Sequence, residues 1–332
     1  MTIEVDGQKK RVGLALSGGG FRAAAFHLGV FRYLHSKRLL WDIDLLTCVS
    51  GGSIAGAFLA HHWGDNDALG KLEKYLLTRS IAVSSVIGGV FDPFNSRLDK
   101  LQSTYERDLY GTSTLGDLAQ GPRLYLNATN LATGNMFFYV TGGKMPAEMG
   151  EWELGSVGAK DIRVSQAVAA SSAFPPVFPP QRLEQDQYPA AGIDYVTLTD
   201  GGVYDNLGVN PLLGNRNKLD YVIVSDGGKP FEMDDRPTES GSGVLLASVN
   251  ILMEQVRGLQ FSRLELSADR IKPLWFSIDS EKGEAQKGDA AFSSAIRTNL
   301  KKLSHAEIDV LTRHSGALLD HRLKAYAPEL LG

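Results

Sequence analysis

The chain has 332 residues, 43% hydrophobic and 22% charged, with a formal net charge of −4. That balance suits a folded protein with a large apolar core, and the lack of a basic block argues against nucleic acid as a partner. The single cysteine, Cys48, rules out an internal disulfide and has no companion at metal-ligand spacing. Its apolar neighbours make it a buried thiol.

The opening stretch MTIEVDGQKKRVGLALSGGG places acids before bases and holds only a short apolar run. It does not read as a signal peptide, and no run approaches the roughly 18 apolar residues that span a bilayer. A cytoplasmic chain is expected, with the sequon Asn127-Ala128-Thr129 unmodified. Arg11 to Leu16 reads as a strand, ended by Ser17-Gly18-Gly19-Gly20, and Phe21 to Ser36 as a helix. A second strand, Ile43 to Val49, leads through Ser50-Gly51-Gly52-Ser53 into a helix from Ile54 to Trp63. Strand, helix, strand, helix with glycine turns implies a parallel sheet covered on both faces.

Further along, Val83, Val86, Ile87, Val90, Phe91 and Phe94, with Gly88-Gly89 and Pro93, suit either a lip over a site or ordinary core. Leu124–Leu131 and Met136–Val140 form a hairpin pattern. A helix from Val164 stops at Phe174-Pro175-Pro176, because proline cannot continue it. Two strands then end in Asp-Gly-Gly, at Asp200 and at Asp226. Beyond Pro237 the pattern turns helical. Val249, Leu252, Met253, Val256 and Leu259 share one face of a long helix and are expected to pack on the core. Ser304 to Glu307 is a capping box opening a terminal helix. One α/β domain is expected, with a core over 1–236 and a helical elaboration over 237–332.

Gly18-Gly19-Gly20-Phe21-Arg22-Ala23 fits G-x-G-x-x-A, a dinucleotide fingerprint, so a non-hydrolytic dinucleotide- or nucleotide-binding protein is the alternative reading. That fingerprint needs an acid at the carboxyl end of the second strand, whereas Asp42 and Asp44 stand at its start. The same turn can instead hold an oxyanion on the first amides of the following helix. The nucleophile would then come from the second turn. Gly51-Gly52-Ser53-Ile54-Ala55 has the form of a nucleophile elbow, with Ala55 at the last glycine position. Ser53 is favoured, and Ser50 is its rival. None of the seven histidines follows a strand, and His61 and His62 lie about 12 Å from Ser53 by helix rise. Asp200 does follow one, and a carboxylate serves as base at neutral pH only where a dry cleft raises its pKa.

Taken together and in order, Gly18-Gly19-Gly20-Phe21-Arg22, Gly51-Gly52-Ser53-Ile54-Ala55 and Asp200-Gly201-Gly202 resemble the signatures of patatin-like phospholipases. Ala170 to Pro180 resembles the family's proline segment. The resemblance covers about residues 12–230 and implies a three-layer α/β/α fold with a mostly parallel sheet. It implies a Ser53–Asp200 dyad, oxyanion donors from Gly18, Gly19 and Gly20, and Arg22 supporting that loop or a lipid phosphate. Gly51, Gly52, Ala55, Gly201 and Gly202 would shape the turns. Acyl esters of phospholipids, lysophospholipids or glycerides would be cleaved without metal or other cofactor. Transient membrane contact is expected, and a regulatory ligand or partner at the C-terminal region is a further possibility. Asp226-Gly227-Gly228 is the rival aspartate motif, disfavoured by the proline segment before Asp200.

Overall fold

The computed structural model describes residues 3–5, 7–81, 95–189, 192–231, 233 and 235–331. The apolar stretch singled out between Val83 and Phe94 lies outside the described residues. Ten strands form one sheet: β1 Val12–Leu16, β2 Leu45–Val49, β3 Arg123–Asn130, β4 Met136–Thr141, β5 Glu148–Glu151, β6 Gly155–Gly158, β7 Gln181–Glu184, β8 Tyr195–Asp200, β9 Tyr221–Asp226 and β10 Lys272–Ser277. Their spatial order is β10-β9-β1-β2-β3-β4-β5-β6, with β8 also paired to β3 and β7 to β8. From β10 to β3 the neighbours are parallel. The others, including the predicted hairpin β3–β4, are antiparallel.

Burial on both faces explains why β1, β2 and β9 read as unbroken apolar runs rather than as alternations. Along β1, Leu14 and Leu16 enter the larger hydrophobic layer while Ala15 enters the smaller one. The larger layer is built with helices α1 (Gly20–Ser36), α2 (Gly51–His61), α3 (Val164–Ser171) and α5 (His305–Tyr326). Opposite them, Leu207 to Leu219 and Leu264 cover the smaller layer, giving an α/β/α arrangement. The region after residue 237 is helical, but it also supplies the edge strand β10. Ser304 opens α5 as its sequence requires: its Oγ accepts from the Glu307 N–H, and Glu307 accepts from the Ser304 N–H.

The long helix α4, Gly241–Leu266, departs from expectation. Leu252 and Leu259, assigned to a core face, are each 65% exposed. Met253 and Arg257 border an open cavity instead, so only the last turns, around Gln260 and Leu264, reach packed interior.

Two crossings of backbone hold the central turns together. A side chain at Gly51 would bring Cβ to 2.2 Å from the Gly20 carbonyl oxygen, and one at Gly52 to 2.1 Å from that of Leu16. Gly51→Ala should therefore destabilise the fold by about 2 kcal/mol or more, seen as a Tm lowered by several degrees in thermal denaturation. An unchanged midpoint would refute the close crossing.

Candidate active site

β2 and β8 meet end to end along one edge of β3. Val49, the last residue of β2, pairs with Asn127, and Asp200, the last of β8, pairs with Ala128, the next position on β3. One strand is parallel to β3 and the other antiparallel, so their carboxyl ends converge. The chain must leave β2 at Ser50, and it does so with φ 51° and ψ −114°, immediately before α2. A positive φ at a non-glycine residue is strained, and at a strand-to-helix corner it is the geometry of a nucleophile elbow. Cys48 stands two residues before Ser50, with Gly56 opening the space for its Sγ.

Ser53, expected as the nucleophile, is not among the residues that line the cavity. Ser53 lies within the first turn of α2, with no exposed surface, and its Oγ is 2.7 Å from Ser171 Oγ. Ser171 donates to the Asn127 carbonyl at 2.6 Å, so it accepts from the Ser53 hydroxyl and from the Ser50 N–H. Ser53 thus braces the elbow from behind, while Ser50 faces the cavity with Asp200. Ala55 is likewise interior to α2 and buried, with no part in the turn.

Asp200 is 1% exposed. Its Oδ1 accepts from the Gly202 N–H at 2.7 Å, and Oδ2 has no hydrogen-bond partner. Burial drives its pKa up to about 7, with the Gly202 amide and the nearby Ser50 hydroxyl opposing part of that rise. The Ser50 hydroxyl lies close enough to the carboxyl to act on it as a hydrogen-bonding neighbour, but not in a geometry that satisfies Oδ2. The rival Asp226 is committed elsewhere, to Arg257 Nε at 2.7 Å and the Gly228 N–H at 3.0 Å. Gly201, where a Cβ would fall 2.3 Å from the Asn127 carbonyl oxygen, lets β8 end against β3.

The glycine turn also lines the cavity, but its members differ. The Gly18 N–H is already bonded to the Asn206 carbonyl at 3.0 Å, and the Phe21 N–H to that of Asn299 at 2.9 Å. Gly19 and Gly20 remain at the head of α1, where no carbonyl within the helix can reach their amides. Gly20 has φ +62°, a conformation glycine adopts without strain. Arg22 is fully buried, its guanidinium donating to the carbonyls of Gly227 and Ile296. It ties α1 to the β9 turn and the C-terminal region. Asp44 sits at the start of β2, at the far end of the sheet from the glycine turn, where it accepts from the Val12 N–H. His27 is held between Ser17 O and Ser225 Oγ, and burial lowers its pKa to about 4. Among the described residues no group of three or more His, Cys, Asp or Glu could hold a metal ion.

The cavity encloses about 1480 Å³, above the roughly 300–1,000 Å³ of ordinary small-molecule sites. Phe174, Val177 and Phe178 of the proline segment line it, as expected of a loop beside Asp200. Much of the rest of the wall, including Lys229, Pro230, several residues of α4 and Thr298 to Leu300, carries no motif and was not anticipated. Only the inward side of α4 could have signalled it.

The sequence model of the patatin-like phospholipase family matches residues 14–213. The chain belongs to that family. Among solved structures, human GIVD cytosolic phospholipase A2 superposes with a TM-score of 0.61 at 14% identity, over 97% of this chain and 62% of that one. The same human protein in complex with methyl γ-linolenyl fluorophosphonate and terbium chloride gives a TM-score of 0.59, also at 14% identity, over 97% and 59% of the two chains. At that identity the likeness is one of fold, and this chain spans less than two thirds of the human protein.

The buried acid sets a stability test. A folded-state pKa of about 7 above an unfolded value near 3.8 means that ionisation opposes folding. The cost is absent below the unfolded value, grows between the two and is complete above about 7. Asp200→Asn should raise stability at pH 8 by an amount on the order of 4 kcal/mol at most, and far less at pH 4. A Tm gain equal at both pH values would contradict a desolvated carboxyl.

Proposed function

We propose that the protein is a lipid acyl hydrolase, of phospholipase A or lysophospholipase type, with Ser50 as nucleophile and Asp200 as general base. The observation that carries this reading is a hydroxyl on a strained elbow facing a buried, incompletely bonded carboxyl inside a large cavity. Family membership supports the substrate class. Apolar walls from Phe174, Val177, Phe178, Leu246, Ile251 and Met253 suit an acyl chain. Exposed Phe231, Met233 and Val244 at the cavity rim suit transient contact with a lipid surface.

In this mechanism Ser50 Oγ attacks the ester carbonyl carbon and passes its proton to Asp200. The negative charge moves to the carbonyl oxygen, where the amides of Gly19 and Gly20 and the positive end of α1 stabilise it. Collapse of that intermediate expels the alcohol, which takes the proton from Asp200, and leaves Ser50 acylated. Water then gives a proton to Asp200 and attacks the acyl group, and the returning proton restores Ser50 as the fatty acid departs. A carboxylate of ordinary pKa would be too weak a base, so burial of Asp200 is part of the chemistry.

Hydrolysis of a lysophospholipid by purified variants tests the assignment. Ser50→Ala and Asp200→Asn should each lower kcat/KM by more than about a thousand-fold, whereas Ser53→Ala should retain activity within a few-fold and lose about 1 kcal/mol of stability. A reversed pattern, with Ser53→Ala dead and Ser50→Ala active, would remove Ser50 from the mechanism. Because the base must be ionised, kcat/KM of the native protein should rise with pH through about 7. A profile flat from pH 5 to 9 would contradict Asp200 as that base.

A further inference from the structure

Three side-chain oxygens around the acid keep bonding capacity that the protein leaves unused: Asp200 Oδ2, Ser172 Oγ and the Tyr105 hydroxyl. All three residues are buried, with exposures of 1%, 4% and nil. A buried polar atom left open costs stability, so each calls for a reason, and three together call for one reason.

The backbone brings them to one place. The Asp200 N–H donates to the Ala173 carbonyl at 3.1 Å, and the Gly201 N–H to that of Ser171 at 3.3 Å. Ser172 lies between those two carbonyls, so it is clamped against the end of β8 that carries the acid. Ser172 and Asp200 both line the cavity. Tyr105, the last residue of the helix Asn95–Tyr105, is fully buried and is not among the residues that line it. Ser172 is the hydrogen-bonding neighbour of its hydroxyl, and the charge of Asp200 reaches it. Burial holds the phenol well above its ordinary pKa, so it stays protonated.

The chemistry of the three oxygens selects their ligand. A single carboxylate with two hydroxyls is a poor cage for a divalent cation, and the ionised acid repels an anion. Water suits them, since a buried water makes about three bonds to groups of this kind. We propose that Ser172, braced by Tyr105, holds the water that opens the acyl-enzyme. The proposal rests on the Ser50–Asp200 reading given above. During acylation the proton taken by Asp200 comes from the Ser50 hydroxyl, and water has no part. Once Ser50 is acylated, the water donates one hydrogen to Oδ2 and the other to Ser172 Oγ, which turns an oxygen lone pair toward the acyl carbon. As the bond from water to that carbon forms, the first proton passes to Oδ2. As the bond to Ser50 Oγ breaks, the same proton passes on to Ser50 and the fatty acid leaves. Ser172 neither gains nor loses a proton, and Tyr105 is a positioning residue that acts through it.

Stopped-flow release of 4-nitrophenolate from 4-nitrophenyl laurate by the full chain reads the two steps apart. The exponential phase reports acylation and the linear phase deacylation. Ser172→Ala should slow the linear phase about tenfold, keep the exponential phase within about twofold, and increase the acid-quenched peptide carrying laurate on Ser50. Its kcat and KM should fall together, a split that general loosening of the fold does not produce. Tyr105→Phe should slow the linear phase about threefold without lowering the Tm. If Ser172→Ala slowed both phases alike, or neither, the inference would fall while the dyad stood. A native protein that never carries laurate on Ser50 would overturn the dyad and this inference together.

Discussion

The edge of β3 is the constraint on which the site depends. Two strands arrive on it from opposite directions and stop at consecutive positions, Asn127 and Ala128. Sheet register cannot slip by one residue without turning every side chain to the other face, so this abutment fixes where the elbow and the acid meet. The end of α3 locks it from the side. Ser171 holds the Asn127 carbonyl, the Ser50 N–H and the Ser53 hydroxyl, and its own carbonyl accepts from the Gly201 N–H.

Three buried aspartates near this edge show how environment separates roles. Asp205 accepts from the backbone amides of Leu207, Gly208 and Asn210 and from the Asn210 side chain, and so holds a turn. Asp226 is neutralised by Arg257. Asp200 receives one amide and keeps one oxygen open. A buried acceptor left unsatisfied costs stability, and strain or open valence of that kind gathers at functional sites. The raised pKa follows from that same dryness: it weakens the fold and strengthens the base.

Much of this was legible before any coordinates. Close backbone crossings admit only glycine, so the turns at Gly18 to Gly20, Gly51-Gly52 and Gly201-Gly202 announced themselves, as did the parallel strands and the capping box of α5. The strained corner at Ser50 stands three residues before the serine that the sequence pattern favours, because that pattern places the glycines ahead of the serine. In the structure the glycines follow Ser50: Gly51 is small to let the head of α1 pass and Gly52 to clear the Leu16 carbonyl at the end of β1, while Ser50 stands directly after the buried run Leu45–Val49. Most of the cavity wall was invisible, since residues from Gly228 onward meet the site only through tertiary packing. The apolar positions of α4 are plain in the sequence, but helical periodicity alone does not tell which face meets a core, and Leu252 and Leu259 are exposed.

The central claim is that the hydroxyl at Ser50, placed by the β3 edge, is the activated one. Treatment with a long-chain fluorophosphonate, digestion and fragment-ion mapping of the peptide spanning Val49 to Ala57 tests this most directly. The account predicts one stoichiometric adduct on Ser50, lost when Asp200 is replaced by Asn. An adduct on Ser53, or labelling that persists without the carboxylate, would contradict it.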